Sequence, residues 1–221
     1  MTVRVFPSSN NSEVLAGLRQ ASAAISRGQV VCIPTDTSYA LVADAFNEDA
    51  LGKLRQARGM PEGAPLGVFV SGPEALAALT SDVPSEVAAL VKNFWPGALT
   101  LVLPAGDSLN WNLGHTEGTV ALRMPAHPIA LELLRDTGPV VQSAATAIGQ
   151  PPLVSPAALA RRFPDSVSVI LSAGADTPGK TISTVVDATD LENPGGKLKI
   201  VRQGQLSATE LFSVVARERF S

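Results

Sequence analysis

The chain contains very few of the side chains that cross-link small domains or bind metals in them: one cysteine and two histidines in 221 residues. A single cysteine excludes an internal disulfide and fits a reducing compartment. Cys32 lies in the apolar run 30–33, which predicts a buried thiol. No Cys/His cluster has the spacing of a metal site. The sequence therefore indicates neither a disulfide scaffold nor a zinc module.

Long apolar runs and an excess of positive charge are also missing. No stretch reaches the roughly 18 consecutive apolar residues of a membrane helix, and the start of the chain lacks the apolar centre of a signal peptide. The formal net charge is −3, whereas nucleic-acid-binding domains usually have a basic excess. No Walker-type loop or nucleophile elbow occurs. We therefore expect a cytoplasmic protein with no membrane partner, for which direct nucleic-acid binding is not favoured.

What the chain does contain is an alternation of strand and helix patterns that suits one domain over residues 1–221. The periodicity predicts strands at 29–33, 66–70, 98–103, 119–124, 139–143, 167–172, 181–188 and 198–202. Helices are predicted from the caps Asn11 and Ser12 to Gly28, from 47–49 onward, at 73–79, 84–94, 127–136 and 156–163, and from Ser207, where Glu210 completes a capping box. This pattern predicts an α/β (α+β) fold.

The segment 34–41 (PTDTSYAL) places three hydroxyls and a carboxylate directly after an apolar strand. Ligands of open α/β sheets bind at such strand ends. In an extended chain Thr35 and Thr37 would share one face and Asp36 would point the other way. The same residue types also serve ordinary turns, so this segment alone leaves a structural role open.

A second segment, 118–128 (GTVALRMPAHP), sets Arg123 in an apolar strand. Alternation puts Thr119 and Arg123 on one face. A strand arginine must be paired or must face a solvated cavity, because burying a lone charge is costly. A structural salt bridge and a ligand site both satisfy that condition. His127, next to Pro128, is expected to begin a helix.

Together with 180–187 (KTISTVVD), 200–204 (IVRQG) and 94–97 (FWPG), these segments resemble the YrdC family, the ATP-dependent threonylcarbamoyl-AMP synthases of tRNA modification. The resemblance runs over about residues 13–212. It implies a twisted mixed β-sheet flanked by helices around a large open cavity. It also implies synthesis of threonylcarbamoyl-adenylate from L-threonine, bicarbonate and ATP with Mg²⁺, in a pathway shared with tRNA-modification proteins.

The resemblance also assigns roles to seven residues. It places the substrate threonine at Thr37, Arg123 and Ser183, and ATP at Arg58, Thr119, Ser143 and Arg202. The planar fork of Arg123 suits the threonine carboxylate. No protein nucleophile is expected, because the reaction needs only a binding site for the amino acid and cations that neutralise the triphosphate.

The chain departs from the family pattern at several positions around the expected ATP site. The Lys-x-Arg motif is here Arg58-Gly59-Met60, so its second charge is absent. The Ser-Ala-Asn motif is Ser143-Ala144-Ala145, followed by a longer loop to Gly149. Three further positions differ: Ala40 for glycine, Ala64 for asparagine or lysine, and Phe69 for a frequent histidine.

Three functions are therefore compatible with the sequence. The first is an active synthase, and the second is a non-catalytic paralogue that binds a nucleotide or an amino-acid-like ligand. Losing one cation that stabilises a transition state commonly costs on the order of 10²–10³ in rate. Arg161 and Arg162 could supply charge, although an exposed helix face is the simpler interpretation. The third function is a double-stranded RNA-binding module, which the negative net charge disfavours.

Overall fold

The computed structural model describes residues 3–106, 111–146, 148–174, 179 and 181–221, and these contain one mixed sheet of ten strands. The strands are β1 (Arg4–Phe6), β2 (Val31–Ile33), β3 (Ala40–Asp44), β4 (Gly67–Phe69), β5 (Leu99–Pro104), β6 (Thr119–Arg123), β7 (Val140–Ala144), β8 (Val169–Leu171), β9 (Thr184–Asp187) and β10 (Lys199–Arg202). Their order is β1-β8-β2-β3-β7-β4-β6-β5-β9-β10. The α/β prediction is confirmed.

In the described residues six α-helices lie between strands along the chain, and a seventh follows β10. They are α1 (Asn11–Ser26), α2 (Glu48–Arg58), α3 (Ala75–Leu79), α4 (Ser85–Phe94), α5 (Pro128–Thr137), α6 (Pro156–Arg162) and α7 (Ala208–Phe212). None of the helices in this part of the chain is long and apolar enough to cross a membrane.

The two faces of the sheet bury separate cores. One core holds apolar side chains of α2, α4, α6 and α7, among them Leu54 and Leu90. The other core packs α1 and α5 on the opposite face, with Leu18 and Leu133 in contact range of the strands. Because both faces are covered, central strands such as β2 are buried along their whole length.

Local capping residues explain where the helices begin. Asn47 caps α2 and accepts a hydrogen bond from the Ala50 amide, and Ser207 with Glu210 forms the expected capping box of α7. The expected cap of α1 is wrong by one residue. Asn10, not Asn11 or Ser12, accepts from the Glu13 amide at 3.0 Å, because its backbone is extended while the next residue is already helical.

Two strands were not predicted from the sequence. β1 has only three residues, which is too short for a periodic pattern. β3 follows the hydroxyl-rich segment directly and is buried on both faces, so it shows no alternation. Lys180 of the segment 180–187 and Ala147 of the loop before Gly149 lie outside the described residues.

Candidate functional site

A polar cleft of about 260 Å³ opens at the ends of β2 and β7 and beside the start of β4, on the side where the sequence predicts a ligand. It is lined by Thr35, Thr37, Ser38, Ala40, Arg58, Pro65, Gly67, Phe69, Arg123, Gln142, Ser143, Ala144, Ile182, Ser183 and Arg202. Six of the seven expected site residues are therefore brought together. A larger cleft of about 850 Å³, between α2 and residues 112–115, contains none of the seven.

The opening follows from the register of the central strands. β4 begins at Gly67, which pairs with Gln142 of β7. β7 continues to Ala144 with β3 as its neighbour, so Ser143 and Ala144 lie beyond the start of β4. The gap beside these two residues lets Arg58, at the end of α2, reach the cleft from the other layer.

The hydroxyl-rich segment forms a tight turn instead of an extended strand. Thr35 Oγ1 donates to the Ser38 carbonyl at 2.6 Å and lies 3.1 Å from Thr37 Oγ1, so the two threonines share a face as expected. The expectation that Asp36 points away from them is wrong. The turn swings its carboxylate toward Arg123, the residue that Thr37 also contacts.

Arg123 is held from three sides and is only 4% exposed. Its Nη2 donates to Asp36 Oδ1 at 2.7 Å, its Nη1 to Thr37 Oγ1 at 3.0 Å, and its Nε to the Gly97 carbonyl at 2.9 Å. Burial lowers the pKa of Arg123 while Asp36 opposes that shift. The guanidinium thus makes a structural ion pair and lines the cleft at once. Two of its five N–H groups are not used by these bonds.

Besides the cluster around Arg123, the side chains of Ser183 and Arg202 form a second polar cluster in the cleft. Arg202 Nη2 donates to Ser183 Oγ at 2.9 Å and to the Ser183 carbonyl at 3.0 Å. Ser183 Oγ also lies 2.8 Å from the buried hydroxyl of Thr100 on β5. Partial burial lowers the pKa of Arg202, and its charge in turn lowers the pKa of Arg123. Two cations therefore face the same space.

Arg58 and Ser143 form the third polar cluster in the cleft. Arg58 Nε donates to Ser143 Oγ at 3.2 Å, and Nη1 donates to the Thr146 carbonyl. The Ser143 hydroxyl donates in turn to Met60 Sδ at 3.7 Å. Burial, and secondly the charge of Arg162, lowers the pKa of Arg58. These contacts join the end of α2 to the end of β7.

Thr119 is the expected site residue that does not line the cleft. It lies at the start of β6, four residues from Arg123, and its hydroxyl donates to the Thr116 carbonyl at 2.7 Å. The sequence missed three contributors: Asp36, Thr100 and Gln142. Asp36 could have been found from the need of a buried arginine for a carboxylate, whereas the other two carry no local signal.

The departures from the family pattern are accommodated in ordinary ways. Ala40 is a regular residue of β3, paired with Ile33 and Ala144, so it needs no glycine backbone. Ala145 is buried in a core, and Phe69 places its ring 5.7 Å from the Arg123 guanidinium. The Ala64 carbonyl accepts from Arg55 Nε at 2.9 Å.

Three other sequence expectations concern residues that do not line the cleft. His127 caps α5 as expected, and Cys32 is fully buried. Arg161 and Arg162 are exposed on α6, as the interpretation of a solvated helix face predicts.

The mixed sheet flanked by helices defines an α/β protein, and its strand-end cleft is lined by three arginines. The Sua5/YciO/YrdC family model, described as telomere recombination, matches residues 23–204. The chain therefore belongs to the Sua5/YciO/YrdC family.

Several relatives are similar over most of the chain. A Mycobacterium tuberculosis protein is 39% identical over 199 residues, which cover 90% of this chain and 89% of the relative. The threonylcarbamoyl-AMP synthase of Bacillus subtilis is 37% identical over 82% of this chain and 54% of its own length.

A solved structure has the same fold. Pyrococcus abyssi Sua5 complexed with L-threonine superposes with a TM-score of 0.84 at 31% identity, over 100% of this chain and 63% of Sua5. The chain thus spans about half to two thirds of these two longer proteins.

Proposed function

We propose that this chain is a threonylcarbamoyl-AMP synthase, which makes threonylcarbamoyl-adenylate from L-threonine, bicarbonate and ATP for the threonylcarbamoyladenosine modification of tRNA. The observation that supports this function best is the charge of the cleft. Arg58, Arg123 and Arg202 face one space whose lining includes no carboxylate among the described residues. Such a site favours substrates that are anionic at two ends, and an amino acid together with a nucleoside triphosphate fits that requirement.

The threonine site is proposed at Arg123, Thr37 and Ser183. The two unused N–H groups of Arg123 suit a carboxylate, and its rigid packing means that little side-chain entropy is lost on binding. The hydroxyls of Thr37 and Ser183 are buried beside it and can bond the ligand's polar groups. This assignment is supported by a relative of known structure that binds L-threonine.

The phosphate site is proposed at Arg58, Ser143 and Arg202, with Thr119 farther along β6 on the nucleotide side. In the proposed reaction the threonine amine and bicarbonate give a carbamate and water. A carbamate oxygen then bonds to the α-phosphorus as the bond from that phosphorus to pyrophosphate breaks. Arg58 and Arg202 would stabilise the charge that develops on the phosphates. No side chain has to form a covalent intermediate.

Magnesium would enter with ATP as part of the substrate and not as a resident ion. The described residues contain no group of three or more acidic, histidine or cysteine side chains that could hold a metal. The carboxylate of Asp36, which precedes the cleft residue Thr37, is engaged by Arg123 and by the Ala126 amide. Mg²⁺ in nucleotide sites is typically bound by substrate phosphates, waters and one or two carboxylates.

A second candidate function is a catalytically impaired paralogue that binds a nucleotide or an amino-acid-like ligand. The observation that favours it is Met60. This side chain packs against a core and accepts from Ser143, so no second cation follows Arg58 in the cleft. RNA binding, the third expectation from the sequence, has no such observation in its favour.

Pyrophosphate release by the purified protein tests these functions. The mixture contains ATP, Mg²⁺, bicarbonate and L-threonine, and each component is omitted in turn. Release that requires both threonine and bicarbonate is the result expected of a synthase. No release, with an active synthase as the positive control, would reject catalysis, and thermal shifts would then test binding. A ligand at 100 times its dissociation constant stabilises by about 2.7 kcal/mol. A product adenylate that tRNA-modification proteins accept would extend the proposal to the pathway.

A further inference from the structure

Gln142 is a polar residue of the cleft that the proposed chemistry leaves without a role. It lies on β7 between Gly67 of β4 and Val42 of β3. One residue further is Ser143, which contacts Arg58. Phe69 lies two residues after Gly67 on β4 and pairs with Arg123 of β6. The Gln142 side chain thus lines the same cleft as Arg58 and Arg123, which are proposed to hold the two substrates.

Gly67 makes the room that this amide occupies. A Cβ atom at Gly67 would lie 2.8 Å from Gln142 Nε2, and the nearest atom of any other residue is the Ala121 carbonyl oxygen at 3.4 Å. The backbone of Gly67 does not have a positive φ, so its conformation does not require glycine. The absence of a side chain at Gly67 thus leaves space for the Gln142 amide.

The amide is suited to an anionic ligand. Gln142 is the one carboxamide among the residues that line the cleft in the described part of the chain, and no hydrogen bond joins its side chain to another described residue. Ala145, three residues later, has its methyl group buried in a core, and its side chain has no donor. An amide that faces a cationic cleft can donate to ligand oxygens without adding charge.

We infer that Gln142 is a substrate-binding residue whose amide donates a hydrogen bond to an anionic oxygen where the two substrates meet. The inference rests on the proposed function and deepens it. The oxygen belongs either to the phosphates of ATP or to the carbamate that forms from threonine and bicarbonate. Phosphate and carbamate oxygens both accept a hydrogen bond from the amide. The phosphate oxygens are present as soon as ATP binds, whereas the carbamate oxygens appear only after threonine and bicarbonate react.

Four proteins test the inference: the wild type, Gln142→Ala, Gly67→Ala and the double variant. Binding of ATP with Mg²⁺ and of L-threonine is measured separately by calorimetry, and turnover by pyrophosphate release. Gln56→Ala, on the exposed side of α2, is the matched control. Unfolding midpoints verify that every variant is folded. The Gly67 change meets only the far end of a flexible side chain, so it is expected to fold.

Loss of the amide is expected to weaken ATP binding or slow turnover about tenfold. Weaker ATP binding assigns a phosphate oxygen, and slower turnover with unchanged affinities assigns the carbamate. Gly67→Ala is expected to reproduce much of this loss but to add little in the Gln142→Ala background. An equal Gly67 effect in both backgrounds, or a Gln142→Ala protein that matches the wild type, would overturn the inference. A wild type that binds neither substrate would overturn the proposed function itself.

Discussion

The ion pair between Asp36 and Arg123 yields the sharpest stability prediction. Asp36→Asn keeps the size of the side chain and an oxygen that can accept from the Ala126 amide, but it removes the negative charge 2.7 Å from Arg123 Nη2. The arginine side chain is 5% exposed and that of Asp36 is 17% exposed. The substitution therefore leaves a guanidinium buried without its carboxylate.

The expected loss follows from this geometry. Breaking a buried ion pair by removing one partner typically costs 3–5 kcal/mol, because the remaining charge is uncompensated. Arg123 keeps its bonds to Thr37 and the Gly97 carbonyl, and Asp36 is not fully buried. We therefore expect Asp36→Asn to lower the free energy of unfolding by about 2–3 kcal/mol.

Urea denaturation at neutral pH measures this loss, with Glu132→Gln as the matched control. Glu132 pairs with Arg135 at 2.9 Å, but these side chains are 59% and 61% exposed. Removing that surface pair should cost no more than about 0.5 kcal/mol. Equal losses for the two variants would refute the reasoning from burial. In an Arg123→Met background, Asp36→Asn should lower the free energy of unfolding much less, because no buried guanidinium is left unpaired.

Three further predictions concern other parts of the molecule. Arg58→Gln should weaken ATP binding about tenfold or more in calorimetry and leave L-threonine binding unchanged, whereas the exposed Arg161→Gln should change neither. Ser207→Ala removes the cap of α7 and should lower the free energy of unfolding by about 1 kcal/mol in urea, and an unchanged midpoint would contradict the capping role. Burial raises the pKa of the Cys32 thiol, so a thiol reagent should label it at neutral pH only after denaturant is added.

The local sequence predicts most of the elements because their signals are local. Strand runs, helix periodicity and caps such as Asn47 and Ser207 depend on residues within a few positions of one another. The family resemblance likewise depends on short segments, and the family membership it implied is confirmed by a family model over 23–204. The errors are also local, as with the cap at Asn10, where several neighbouring residues could serve equally well.

The sequence by itself determined the α/β fold class and the chemical types that the site contains: hydroxyls after β2 and an arginine in β6. It could not determine how those groups meet. Asp36 and Arg123 are 87 positions apart, and Arg58 and Ser143 are 85 apart. No local period relates residues at such distances. Their contacts depend on strand order and on where β4 begins, which only the packing of the whole sheet decides.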